Sequence, residues 1–358
     1  MVRIFLTGAT GYIGGQALHS IASSFPESRA VISCLVRDNQ KARCVRDRYP
    51  DHVQTVLGDL DDVGLLEEES RQADIVLHLA STNHTRSAQA IAKGLASKGP
   101  GSKSYWIQMS GASLFAIPEI KEGRYGEPSD EVYDDVKDSQ KILAFIRNNP
   151  SRQVDNLIVA QDPSVIRTAL IVGPLIYGQG AGPGNQRSVQ VPEIARATLK
   201  YGQGFRLLNG LNQWSNIHIR DLGDLFLLLA QAAVEGKSQF WNEQGIYLPG
   251  PGAMACKPSA CIRSNVLTVA QTFGEVCQRV ASAAHEQRLL KSPKVELTID
   301  VDEANKVTSH GAVLWGTNAV FRSGRAQQTL SWKPSAPTLA EVIPETVASE
   351  AKTWQVKA

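Results

Sequence analysis

The sequence predicts an α/β protein: a doubly wound parallel sheet with a smaller mixed C-terminal lobe. Three observations carry this expectation. Short apolar runs alternate with helix-compatible segments through the first half. Those runs are nearly continuous in apolar residues, as strands covered on both faces are. A glycine-rich turn joins the first run directly to the first helix.

The elements follow in order. Val2–Thr7 reads as a buried strand. Residues 12–25 read as a helix, because Ile13, Ala17, Ile21 and Phe25 recur every four positions. Ala30–Val36 is a second strand, and 38–48 is polar and helix-compatible. Val53–Leu57 is a third strand, and 61–71 a helix opened by acidic residues. A fourth strand covers 74–79. A helix over 88–96 ends at the Gly99-Pro100-Gly101 breaker, and 103–109 is a fifth strand. Residues 123–129 are loop-like, 139–148 form a helix closed by Pro150, 154–160 a short helix, and 165–172 a sixth strand. Gly178 to Asn185 holds four glycines in eight residues and reads as a mobile loop between lobes. Beyond Val189 the pieces are shorter, with helices expected over 222–233, 267–284 and 339–350. Residues 217–247 are expected to return to the sheet. The expected domains are therefore a nucleotide-binding unit, 1–176 with 217–247, and a substrate lobe, 177–216 with 248–358.

Composition narrows the function. The 358 residues are 42% hydrophobic and 20% charged, an ordinary globular balance with length for a large core. Lys plus Arg is 37 against 35 Asp plus Glu, a formal +2. That evenness argues against a dominant field for nucleic acid or an anionic membrane, and leaves a small molecule as the expected partner. Whether the chain is a monomer or a dimer stays open. Five cysteines include no Cys-x-x-Cys pair, and Cys256 and Cys261 enclose four residues. Neither a metal site nor a disulfide framework is expected. No apolar stretch is long enough for a bilayer, and the N-terminus has no secretory pattern, so a cytoplasmic location is expected.

The informative motif is Thr7-Gly8-Ala9-Thr10-Gly11-Tyr12-Ile13-Gly14. It lies between a strand and a helix, the Rossmann-like context for a dinucleotide. Gly8 permits the tight turn, Gly11 lets backbone approach a pyrophosphate, and Gly14 permits close helix–strand packing. Thr10, Tyr12 and Ile13 complete the loop. A tight turn that binds nothing is the bland alternative. At the end of the second strand stands Arg37, with Lys41 one turn on. An arginine there pairs a 2′-phosphate, which points to NADP, with NAD the alternative. Arg37 also fits a solvated surface charge. Asp59 and Leu60 follow the third strand, where Asp59 either accepts from an adenine amine or caps the next helix. Ala80 and Ser81 end the fourth strand with small residues.

These residues carry a resemblance. The opening motif, Gly58-Asp59-Leu60 and His78-Leu79-Ala80 are similar to the extended or atypical short-chain dehydrogenase/reductases, the NAD-dependent epimerase/dehydratase superfamily. So are Pro174-Leu175-Ile176-Tyr177-Gly178, residues 214–224 and Ser331-Trp332-Lys333-Pro334. Gly182 to Ser188 with Gln190-Val191-Pro192 resembles an uncharacterised fungal branch. The resemblance implies that Pro174 lies by the cofactor. It also implies a Ser or Thr working with Tyr-x-x-x-Lys, the tyrosine as acid or base and the lysine lowering its pKa. The literal match is Tyr133 with Lys137, one turn apart if helical, and Ser110 or Ser113 supplies the hydroxyl. A second register also fits: Arg152 and Asn156 fall where the tyrosine and lysine would be, and the pair is then absent. His218 is implied as a lobe-junction residue and Asp221 as a helix N-cap. Tyr177, Arg187 and Trp214 are candidates for a substrate wall. The expected activity is an NAD(P)-dependent oxidoreductase or epimerase-like enzyme on a small carbonyl or hydroxyl metabolite. The alternatives are an NAD(P)-binding sensor without turnover, and a redox-neutral isomerase or cyclase.

Overall fold

The computed structural model describes residues 1–26, 29–51, 53–99, 101, 104–250 and 271–357. Pro100, Lys103, Cys256, Cys261 and the start of the helix expected over 267–284 lie outside the described residues.

The first lobe alternates β1 (Val2–Thr7), α1 (Tyr12–Ala22), β2 (Ala30–Val36), α2 (Asn39–Arg48), β3 (Val53–Leu57), α3 (Val63–Gln72), β4 (Ile75–His78), α4 (Thr85–Ala96) and β5 (Ser104–Gly111). A short helix α5 (Ile117–Glu122), strand β6 (Val132–Asp134) and helices α6 (Ser139–Arg147) and α7 (Gln153–Val159) precede β7 (Ile166–Gly173). The central sheet runs β3-β2-β1-β4-β5-β7 and ends on Ile246–Tyr247, with every pairing parallel. The chain winds outward from β1 to β3, then crosses to β4. The crevice at that reversal, outside the carboxyl ends of β1 and β4, is where such sheets hold ligands.

Period-two alternation decides which side chain meets which layer. Ile4 and Leu6 face one way and pack with Ala17 and Ile21 of α1, Val45 of α2, and Leu222 and Phe226. Phe5 faces the other way and shares a core with Leu66 of α3, Ile91 of α4, and Val154 and Ile158 of α7. On β5, Tyr105 and Ile107 join the first core and Trp106 the second.

Apart from the helix Ile219–Val234 and the strand Ile246–Tyr247, most of the described chain beyond β7 builds the smaller lobe. Its main helices are α8 (Gln190–Tyr201), Phe273–Glu286 and Leu339–Lys357, while α9 (Ile219–Val234) lies against α1. Several two-stranded pairings knit the lobe, including β6 with Val320–Arg322 and Gly204–Leu207 with Val295–Ile299. No described helix is long and apolar enough to cross a membrane. His218 caps α9, its Nδ1 accepting from the Arg220 N–H at 3.1 Å. Asp221 is therefore not the cap. Its carboxylate accepts from the N–H groups of Ser335 and Ala336, and the Trp332 indole donates to its carbonyl. That clasp explains the buried Trp332 near the C-terminus.

Candidate functional site

The loop from β1 to α1 is set by what its glycines exclude. Gly8 has φ +86°, and a Cβ there would sit 2.8 Å from the Ala80 nitrogen at the end of β4. A Cβ on Gly14 would lie 2.2 Å from the Gly8 carbonyl oxygen. Gly11 N–H donates to the same carbonyl at 2.8 Å. Gly11 also stands at the N-cap of α1 and offers no side-chain cap, so the first-turn N–H groups stay available to an anion.

This loop forms one wall of a cavity of about 790 Å³. Gly8, Thr10, Gly11, Tyr12, Ile13, Gly14, Arg37, Asp59, Leu60 and Ala80 all line it, with Lys41, His84, Asn185 and Val189. Ser81 and Pro174 lie outside this lining. The Ser81 hydroxyl donates to Asn83, and Pro174 is buried just after β7. Arg37 is exposed at the tip of β2. The neighbouring Asp38 caps α2, accepting from the Lys41 N–H at 2.8 Å, and that bond lowers its pKa. Asp59 accepts from the Asp61 N–H at 2.7 Å, while the N-cap position of α3 belongs to Asp62. His84 caps α4 through Nδ1 and holds Nε2 at 3.6 Å from Asp61. His78 is fully buried between the hydroxyls of Thr7 (2.7 Å) and Ser87 (3.1 Å). Burial pushes its pKa down to about 3, so it is a neutral structural histidine.

At the carboxyl end of β5 a second polar cluster stands. Ser110 is fully buried, and its Oγ accepts from Arg152 Nη2 at 2.8 Å. Arg152 Nε donates to Asp155 at 2.7 Å. Burial raises the Asp155 pKa, and the Arg152 charge opposes that rise. Asn156 does not face the cluster. Its amide fastens the start of α7, donating to the carbonyls of Ile146, Asn149 and Arg152. Ser113 sits half-buried in the 3-10 turn after β5.

Tyr133 and Lys137 do not share a helix face. Tyr133 is in strand β6, paired with Phe321, and its ring stacks on Phe115 at 4.0 Å. Burial raises its hydroxyl pKa. Lys137 is exposed in the turn that follows. Local carboxylates account for this. Asp134 accepts from the N–H groups of Val136 and Lys137, and Asp138 accepts from the Asp134 N–H, so these side chains close a turn instead of a helix. Asp135 is a staple: its buried carboxylate accepts from the N–H groups of Leu248, Gly324 and Arg325.

The segment 178–185, expected to be mobile, is docked on the glycine loop. A Cβ on Gly184 would fall 2.3 Å from the Thr10 oxygen, and one on Gly182 2.6 Å from Gly15. Asn185 N–H donates to that Thr10 oxygen at 2.9 Å, and the Tyr12 hydroxyl donates to Gly178 at 2.6 Å. Glycine there serves close approach of backbones. Sequence reasoning missed this strap; the every-second-residue glycine spacing was the available signal. The proposed substrate wall is also spoken for. Arg187 pairs with Glu350 and Glu193, the buried Tyr177 donates to Pro337, and the buried Trp214 donates to Thr317.

No family model matches the chain. The oxidase UcsJ of Acremonium sp is 33% identical over 353 residues, covering 98% of each chain. Among solved structures, a double mutant of DesIV, the dTDP-glucose 4,6-dehydratase of Streptomyces venezuelae with NAD and DAU bound, aligns with TM-score 0.64 at 15% identity. That alignment covers 99% of this chain and 98% of that one. UDP-glucose 4-epimerase of Thermotoga maritima aligns with TM-score 0.58 at 13% identity, over 99% and 100%. These two likenesses speak to the fold.

Proposed function

The chain belongs to the NAD-dependent epimerase/dehydratase superfamily of extended short-chain dehydrogenase/reductases, and from that premise we propose that it is an NADP-dependent oxidoreductase or epimerase-like enzyme acting on a small carbonyl or hydroxyl metabolite. The cleft carries this reading. Its uncapped helix terminus suits a pyrophosphate, and Gly8 and Gly14 leave no room for a Cβ, so the loop meets the ligand with backbone there. Arg37 supplies a cation at the β2 end, while Asp38 caps α2 and lies 3.6 Å from the Lys41 ammonium. That favours a 2′-phosphate over a free 2′-hydroxyl. A nicotinamide dinucleotide bound there would supply the redox chemistry; Gly8 to Gly14 would hold its phosphates, with Ala80 beside it.

At the other end, Ser110 rather than Ser113 accepts from Arg152, which supports it as the site hydroxyl. The geometry gives Tyr133 and Lys137 no common face from which to act. One observation favours a second reading, nucleotide binding without turnover: the group on Ser110 is an arginine, which does not exchange protons near neutral pH.

Titration with NADP⁺ and NAD⁺ tests the first reading. Arg37→Ala is expected to weaken NADP⁺ about tenfold and to leave NAD⁺ within about twofold. Tighter wild-type binding of NAD⁺ overturns the NADP preference. Steady oxidation or reduction of cofactor across aldehydes, ketones and secondary alcohols excludes the second reading.

A further inference from the structure

We propose that Arg152 is the oxygen-holding residue at the reacting end of the cleft, and that Asp155 is the positioning residue that cancels its charge. This rests on the cofactor reading above. The sheet reverses between β1 and β4, so a dinucleotide anchored on the glycine loop extends its second half over the ends of β4 and β5. Ser110 closes β5, and Arg152 reaches it from the N-cap of α7.

The arginine is held from two sides. Nε is fixed by Asp155 and Nη2 by Ser110, while Asn156 pins the backbone that carries it. Its side chain is 16% exposed and that of Asp155 is 0%. Among the described residues Nη1 has no hydrogen-bond partner, so a donor of the rigid fork is left for an oxygen outside. One cation and one carboxylate sum to zero. The cluster is thus a fixed, neutral donor that suits an uncharged carbonyl or hydroxyl oxygen better than a carboxylate. An arginine does not release its proton here, so it holds and polarises that oxygen and any proton exchanged comes from elsewhere.

The test compares dissociation constants of NADP⁺ and NADPH, whose rings differ by one positive charge. Asp155→Asn keeps the shape and uncovers the Arg152 cation. The ratio Kd(NADP⁺)/Kd(NADPH) is then expected to rise roughly tenfold, the effect of one added unit charge several ångströms from the ring. In the double variant Asp155→Asn, Arg152→Gln the ratio returns to within about twofold of wild type. A merely structural cluster weakens both forms alike, and an unchanged ratio in a folded Asp155→Asn protein overturns the proposal. Should that variant not fold, wild-type crystals soaked in NADPH decide: a nicotinamide ring beside the Arg152 guanidinium supports it, and a ring placed elsewhere overturns it. Wild-type protein that binds neither NADP nor NAD overturns the cofactor reading itself.

Discussion

The glycine loop and the end of β5 lie on opposite sides of the sheet's reversal, and they are built from different material. The loop presents backbone: Gly8, Gly11 and Gly14 stand within one turn of chain, and their carbonyls and N–H groups make the wall. The β5 end presents side chains, and it gathers them from afar. Ser110 meets Arg152 across 42 residues, and Arg152 in turn holds Asp155. A site of backbone tolerates change in neighbouring side chains but none at Gly8 and Gly14. A site of buried charge depends on each partner having the other.

The largest effect that would sharpen this contrast is at Gly14. A Cβ 2.2 Å from the Gly8 carbonyl cannot be accommodated without opening the turn. Gly14→Ala is expected to cost about 3 kcal/mol or more in urea unfolding and to reduce NADP⁺ binding at least a hundredfold. Near-normal binding in that variant would break the picture of a backbone-defined wall.

A smaller effect is expected at the strap. Gly184 has no left-handed backbone, so only the contact with Thr10 matters. Gly184→Ala should lift the strap at a cost of about 1–3 kcal/mol. Because Asn185 and Val189 line the cleft, cofactor affinity should fall about tenfold, read by calorimetry. Unaltered affinity would separate the strap from the site.

The same contrast explains what was legible. The strands β1, β2 and β3 have the bounds read from the chain, because near-continuous apolar runs mark them locally. The six cleft-lining residues of the glycine loop follow from spacing for the same reason, and Arg37, Asp59, Leu60 and Ala80 from their places at strand ends. Tyr133 could not be placed locally. Its strand exists by pairing with Val320–Arg322, about half the chain away, and the pattern Tyr-x-x-x-Lys says nothing of that partner. The strap's glycines signalled freedom in isolation; packed against Thr10 and Gly15 they signal contact. Arg152 showed only as a place in a register, and its ion pair with Asp155 needed α7 to form first.

The smallest effect is at the joint between the two regions. His78 ends β4, bonds Thr7 beneath the glycine loop and reaches Ser87 on α4. Burial holds its pKa near 3 against an ordinary 6.5. The folded chain therefore binds fewer protons here than the unfolded chain once the pH drops below about 6.5. Stability from this residue is complete above that pH and is lost as the pH falls from 6.5 toward 3. His78→Gln removes the titration whatever it does to absolute stability. Between pH 6 and pH 5, wild type is expected to lose about 1 kcal/mol more than the variant in urea unfolding. An equal loss in both proteins would mean that His78 carries its proton inside the fold, and that the joint is not the neutral hydrogen-bonded link described here.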